Sequence, residues 1–253
     1  MRCTCLNQLD SLAVRPISAR KALNTPVPLR EDNGDMTELI VIRHGETDWN
    51  RQHRFQGQID VPLNDVGLAQ AQRLGQRLAD ERIDVLVCSD LQRARSTAEP
   101  LARARALAPD LQPLWREQGF GLLEGLDVPT IRSQHADLWA RWTRHEADYA
   151  LPGGESNAAF HARVMQALGA LVAAHAGRRL VVVTHGGVLD MLWREAKGLP
   201  LHGPRECDIP NTGINRLRWR GGRLQIVQWA DAEHLAGLPA QPSTAQSRVP
   251  DEA

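Results

Sequence analysis

Between residues 37 and 235 the chain alternates short, continuous apolar runs with longer stretches whose apolar residues recur every three to four positions. The runs ELIVIR (38–43), IDVLVCS (83–89) and RRLVVVTH (178–185) have the length and the β-branched content of buried parallel strands. LQPLW (111–115) predicts a short edge strand. INRLRWRGGRLQIVQWA (214–230) predicts a hairpin, two alternating runs around Gly221-Gly222. The helical period appears over 64–81, where Val66, Ala69, Leu74 and Leu78 fall near one face and Asn64 or Asp65 serves as N-cap. It appears again over 91–107 despite Pro100, over 130–148, over 155–176 and over 187–198. Strand–helix alternation closed by a hairpin predicts an α/β fold, a three-layer α/β/α sandwich with a mostly parallel mixed sheet and a C-terminal β-hairpin. No internal repeat or second domain boundary interrupts 37–235.

The two ends show a different pattern. Residues 1–36 have scattered apolar positions, three prolines and no sustained period, so a disordered N-terminal extension is expected there. They contain no compact apolar core of a secretory signal, and Met36 offers a second start immediately before the first strand. Residues 236–253 are expected to form a disordered C-terminal tail.

Composition narrows the function class. Lys+Arg and Asp+Glu both total 30, so the chain lacks the basic excess by which proteins hold nucleic-acid phosphates. No apolar run is long enough to span a bilayer. The 4 cysteines, Cys3, Cys5, Cys88 and Cys207, form no metal-ligand spacing and are expected as free thiols in the cytoplasm. No metal site and no cofactor are expected.

In parallel sheets ligands bind beyond the carboxyl ends of the strands. The first strand delivers Arg43-His44-Gly45 there, the second Ser89-Asp90 with Arg93 and Arg95 just beyond, and the third His185-Gly186-Gly187. A single strand-end histidine is an ordinary structural residue. Two His-Gly pairs with arginines on one rim are a different matter. Glycine admits close backbone approach to a ligand, the helix opening after His185 favours an anion, and arginine forks fit phosphate oxygens. Together they predict a phosphate pocket that contains a candidate nucleophile.

The segments LIVIRHGETDWN, SDLQRARSTAE, REQGFGLLEG, PGGES and VVVTHGGVL, in this order over about 38–230, resemble the successive motifs of the histidine phosphatase superfamily, the phosphoglycerate-mutase-like group. The resemblance implies that His44 is the phosphorylated nucleophile and that Arg43 and Arg93 clamp the phosphoryl group. It implies Glu117 as the proton donor to the leaving group and His185 as the second pocket histidine. Asn50, Gln56, Gly57 and Gly186 would contact the phosphoryl group or its ester. It further implies a helical cap over the carboxyl-end rim, phosphoryl transfer without metal, and a homodimer paired through sheet edges, as many members form. The chemistry needs His44 to be neutral with one bare ring nitrogen and Glu117 to begin protonated.

Three functions stay open on the sequence. A phosphomonoester hydrolase acting on a small phosphorylated metabolite is favoured by GFGLLEG, LPGGES and a short cap segment. A mutase would return the phosphoryl group to the substrate, and a recognition module would bind without turnover. Leu123 stands where much of the phosphatase branch has tryptophan and is expected to reshape the pocket wall. In the cap, Leu138, Trp139 and Trp142 read as an apolar helix stripe, whereas Arg132, His135, Arg141, Arg144 and His145 are candidates to face an anionic substrate.

Overall fold

The structure, a computed structural model, describes residues 36–242. The expected extension up to residue 35, with Cys3 and Cys5, and the tail from 243 onward lie outside the described residues. Six strands form one sheet: β1 (Thr37–Arg43), β2 (Val85–Cys88), β3 (Asp110–Leu111), β4 (Arg179–Thr184), β5 (Ile214–Arg220) and β6 (Arg223–Asp231). Their order is β3-β2-β4-β1-β5-β6, with the first four parallel and β5 and β6 antiparallel, which leaves β3 and β6 at the edges. This is the mixed sheet predicted, hairpin included.

The two-residue period of the strands sorts the core into two layers. Leu39 and Val41 of β1 and Leu180 and Val182 of β4 pack against α6 (Asn157–Ala174) and α7 (Gly186–Lys197) through Phe160, Val164, Leu168, Val188 and Leu192. Ile40, Ile42, Val181 and Val183 point the other way, onto Leu74 of α2 (Asp65–Arg77), the adjoining Leu78, and Ala94, Ala98 and Leu101 of α3 (Gln92–Arg105). Each fully buried aliphatic side chain contributes about 1.5–3 kcal/mol. A polar residue at any of these positions would therefore cost a large share of a domain's net stability.

Three local readings are corrected. β3 covers only Asp110–Leu111, because Pro113 has no N–H to continue a ladder, and the chain turns through a 3₁₀ helix (Pro113–Trp115) that buries Trp115. The predicted helix 130–148 is two shorter ones, α4 (Val128–Gln134) and α5 (Ala136–Trp142), which meet at His135, where φ −135° and ψ 42° depart from helical values. The buried seam of α2 runs through Gly67, Gln70, Ala71, Leu74 and Gly75, so Val66 and Ala69 sit beside it rather than in it. Asn64 is the N-cap, accepting from the Gly67 N–H at 2.9 Å.

The cap has a small core of its own. Phe55, Phe120, Leu123, Ile131 and Leu151 are buried together, with Leu138, Trp139 and Trp142 packed against them. Trp139 and Trp142 are stacked at 5.4 Å, as an apolar stripe would be. Leu123 is fully buried in this core and is not among the residues lining the His44 cavity, so it fills the cap's interior rather than reshaping the pocket wall. Among the described residues no helix is long and apolar enough to cross a membrane.

Candidate active site

β1 and β4 are hydrogen-bonded neighbours, and Arg43 stands opposite Thr184 in the register. The residue after each strand is therefore brought to the same level of the sheet. His44 donates its backbone N–H to the Thr184 carbonyl at 2.8 Å, and the His44 and His185 rings lie 5.2 Å apart between centroids. The sheet register alone places two histidines 141 positions apart in sequence beside each other.

His44 is 3% exposed. Its Nδ1 is 2.7 Å from the Gly45 carbonyl, and a carbonyl only accepts, so Nδ1 carries the hydrogen. Burial, reinforced by Arg93 and Arg43, holds the imidazole well below its ordinary pKa, and the Gly45 bond opposes this only in part. A neutral ring with a proton on Nδ1 has a bare Nε2. Behind it, His185 is completely buried and bonded through Nε2 to Ser89 Oγ at 2.8 Å. Burial first, then Arg93, His44 and Arg43, likewise pushes His185 far down. His185 touches His44 but does not itself line the cavity.

Both arginines are tied to backbone carbonyls and still keep donors to spare. Arg43 Nη1 donates to the Ile209 carbonyl at 2.7 Å. Arg93 Nη1 and Nη2 donate to the Ile59 and Gly57 carbonyls at 2.8 and 2.7 Å. Nε of each is buried without a hydrogen-bond partner in the structure. Burial lowers both guanidinium pKa values to about 10, so both stay charged at neutral pH. Two buried cationic N–H groups without acceptors, flanking a bare imidazole nitrogen, form a receptor for an oxyanion.

Among the described residues, Glu117 is the one carboxylate in the cavity wall. The Gly187 N–H lies 3.1 and 3.0 Å from its two oxygens, and the Gln118 N–H donates to Oε1 at 2.9 Å. The N-terminus of α7 thus engages the carboxyl group of Glu117 rather than a ligand. Gly187 leaves room for this, since a Cβ there would overlap Glu117 Oε1. At Gly45 a Cβ would meet the Gly67 carbonyl, so that glycine admits α2 rather than a ligand. Gly186, by contrast, does face the cavity.

Asn50, Gln56 and Gly57 all line the same cavity. Asn50 Oδ1 accepts from the Thr47 N–H at 3.0 Å in the N-cap of a short helix, α1 (Asp48–Arg51). The buried Gln56 Oε1 has no partner in the structure. Gly57 has φ +51°, and a side chain there would overlap Glu124. Arg205 and Asn211 also line the cavity and were missed in the sequence. Asn211 Nδ2 donates to the His44 carbonyl at 2.9 Å, and the Thr212 N–H to that of Arg43 at 3.0 Å. The tail expected from 236 begins inside the described residues. Gln241 accepts from the Asn211 N–H at 2.6 Å and donates to its carbonyl at 3.1 Å, and Pro242 joins the cavity wall.

The PGGES segment acts at one remove. Glu155 accepts from the Gly119 N–H and from Arg163, and Arg163 also donates to the carbonyls of Leu114, Arg116 and Glu117. Burial pushes the Glu155 carboxyl up, but the bonds from Arg163 and Gly119 outweigh it and hold the group below its usual range. This half-buried pair fixes the stretch of chain that carries Glu117.

Residues 39–232 match the model of the histidine phosphatase superfamily (branch 1). The chain is 36% identical over 209 residues to phosphoglycerate mutase-like protein 4 of Arabidopsis thaliana, covering 79% of this chain and 88% of that one. It is 34% identical over 208 residues to a metal-independent phosphoserine phosphatase of the same plant, covering 81% and 85%. Among solved structures, YhfR of Bacillus stearothermophilus superposes with a TM-score of 0.73 at 30% identity, over 79% of this chain and 99% of that one. The chain belongs to the histidine phosphatase superfamily.

Proposed function

We propose that this member of the histidine phosphatase superfamily hydrolyses phosphomonoesters of small metabolites through a phosphohistidine on His44. The observation that carries the reading is the pair of buried, partnerless guanidinium Nε–H groups of Arg43 and Arg93 beside the bare Nε2 of a neutral His44. His44 Nε2 attacks phosphorus as the bond to the leaving oxygen breaks. Glu117 hands its proton to that oxygen, and an alcohol departs. Arg43 and Arg93 meet the charge spread over the phosphoryl oxygens, with His185 behind them. Water then attacks the phosphohistidine, its proton passes to Glu117, and inorganic phosphate and neutral His44 are regenerated. Asn50, Gln56, Gly57 and Gly186 line the space the ester occupies. The two described cysteines, Cys88 and Cys207, are free thiols, which accords with a cytoplasmic enzyme.

The test is phosphate release from a panel of phosphomonoesters in the presence of a chelator, with wild type and His44→Ala compared. Release should withstand the chelator and fall by at least about a thousandfold in the variant, the scale on which a nucleophile contributes. Formation of 2-phosphoglycerate from 3-phosphoglycerate outpacing release would make the enzyme a mutase instead. Undiminished release by His44→Ala would refute the mechanism.

A further inference from the structure

A second chamber adjoins the phosphate cavity, and the two share Phe120 and Arg205 in their walls. On one side stands Asp190 of α7; on the other are Trp142, His145 and Tyr149 of the cap. Asp190 is 7% exposed, and its Oδ2 accepts from Arg194 Nε at 3.0 Å. Its Oδ1 is buried and has no hydrogen-bond partner in the structure, the Nε of Arg205 standing 3.8 Å away as an ion pair only. A buried carboxylate oxygen left without a donor is costly, so this atom marks where a ligand donor fits.

The charges around it select the kind of donor. Asp190 already faces two guanidiniums, and Glu155 is paired with Arg163 at 2.6 Å. Glu146 in turn has Arg141 and Arg144 at 4.0 and 3.9 Å, so each carboxylate of this wall already has a cation and an ammonium ligand would find none to balance it. Asp190 Oδ1, which only accepts, would give a second anionic group no donor. Hydroxyl groups, neutral and able to donate, satisfy both conditions. His145 suits them as well. Burial, aided by Arg194, lowers its pKa, and a neutral imidazole offers one donor and one acceptor. The Trp142 and Tyr149 rings add flat apolar faces with polar edges.

We infer that this chamber holds the leaving group of the substrate and that the leaving group is a neutral polyhydroxyl moiety, a sugar or a polyol, donating a hydroxyl to Asp190 Oδ1. The inference rests on the phosphatase reading and names its substrate class. The experiment compares kcat/KM for hexose and glycerol phosphates with those for n-alkyl phosphates and an aminoalkyl phosphate of matched size. In Asp190→Asn the amide oxygen stays with Arg194, and the chamber meets an NH₂ donor in place of an acceptor. Tyr149→Leu changes the opposite wall and does not disturb the Asp190–Arg194 pair. Wild type should favour the polyol esters by about tenfold or more, the worth of one hydrogen bond to a carboxylate. Asp190→Asn should bring that ratio to within about threefold, and Tyr149→Leu should reduce it. Because the readout is a ratio, partial loss of folded enzyme does not alter it. No preference in wild type, a preference for the aminoalkyl ester, or a ratio unchanged in both variants would overturn the inference. Turnover of para-nitrophenyl phosphate by wild type tests the phosphatase reading separately. If that fails, calorimetric binding of the same esters decides the chamber by the same ratio.

Discussion

The two histidines are kept neutral by where they are buried, and this has a consequence in pH. Their folded pKa values lie well below the ordinary 6.5, with burial the largest cause in each. Above pH 6.5 neither the folded nor the unfolded state carries these protons, and the linked stability is fully present. As pH falls below 6.5 the unfolded chain binds protons that the folded one refuses, so stability declines down to the folded pKa. Each group adds a slope of about 1.4 kcal/mol per pH unit in that window. The unfolding free energy of wild type from urea titration should therefore fall more steeply from pH 6.5 to 5 than that of His44→Gln, by up to this amount. Equal slopes would mean that His44 is protonated in the folded protein. The same burial predicts that kcat shows no loss of nucleophile on crossing pH 6.5, which a pH–rate profile checks.

At the scale of elements, the N-terminus of α7 and the turn carrying Glu117 meet at a point where only glycine fits. Gly187→Ala would put a methyl group into Glu117 Oε1 and against Phe160. Displacing Glu117 by about 1 Å should lower kcat about a hundredfold while KM changes little. A parallel fall in thermal midpoint of only a few degrees would separate this from unfolding. How much was legible in the sequence also divides along elements. β1, β4, α2 and α7 announce themselves because their apolar periods match the faces they bury, and Arg43, His44 and His185 were legible from their places at the carboxyl ends of such strands. Arg205 and Asn211 were not, since they lie between α7 and β5 in a stretch without period or regular structure. Arg163 was hidden for another reason. It is a charged residue within an apolar helix, and nothing in α6 itself tells that four groups outside the helix receive its hydrogen bonds. The break at His135 was equally silent, with helix-compatible residues on both sides.

The whole molecule gathers its chemistry at one rim from distant parts of the chain. β1, α3, the turn after the first 3₁₀ helix, α7 and the segment before β5 each contribute, so the site exists only when the sheet order is complete. The segment after β6 comes back to the same rim, where Gln241 holds the backbone of the residue that bonds the His44 carbonyl. Ending the chain after Leu238 should cost about 1–2 kcal/mol for the two lost hydrogen bonds. It should also raise KM several-fold while leaving the pH dependence of kcat unchanged. Steady-state kinetics beside a urea titration would check both.

That returning segment also makes the two ends of the described chain unequal as points of attachment. β1 is seven residues long and rises about 3.3 Å per residue, so Thr37 lies roughly 20 Å from His44 along the strand, on the far rim of the sheet. Pro242 stands in the wall of the cavity itself. A fluorophore or fusion partner grafted in place of the residues after Pro242 begins at the mouth of the site, where its emission would report each occupancy by substrate and its bulk would compete with entry. The same graft ahead of Thr37 would be a silent handle, suited to immobilising the enzyme with its cavity facing away from the support.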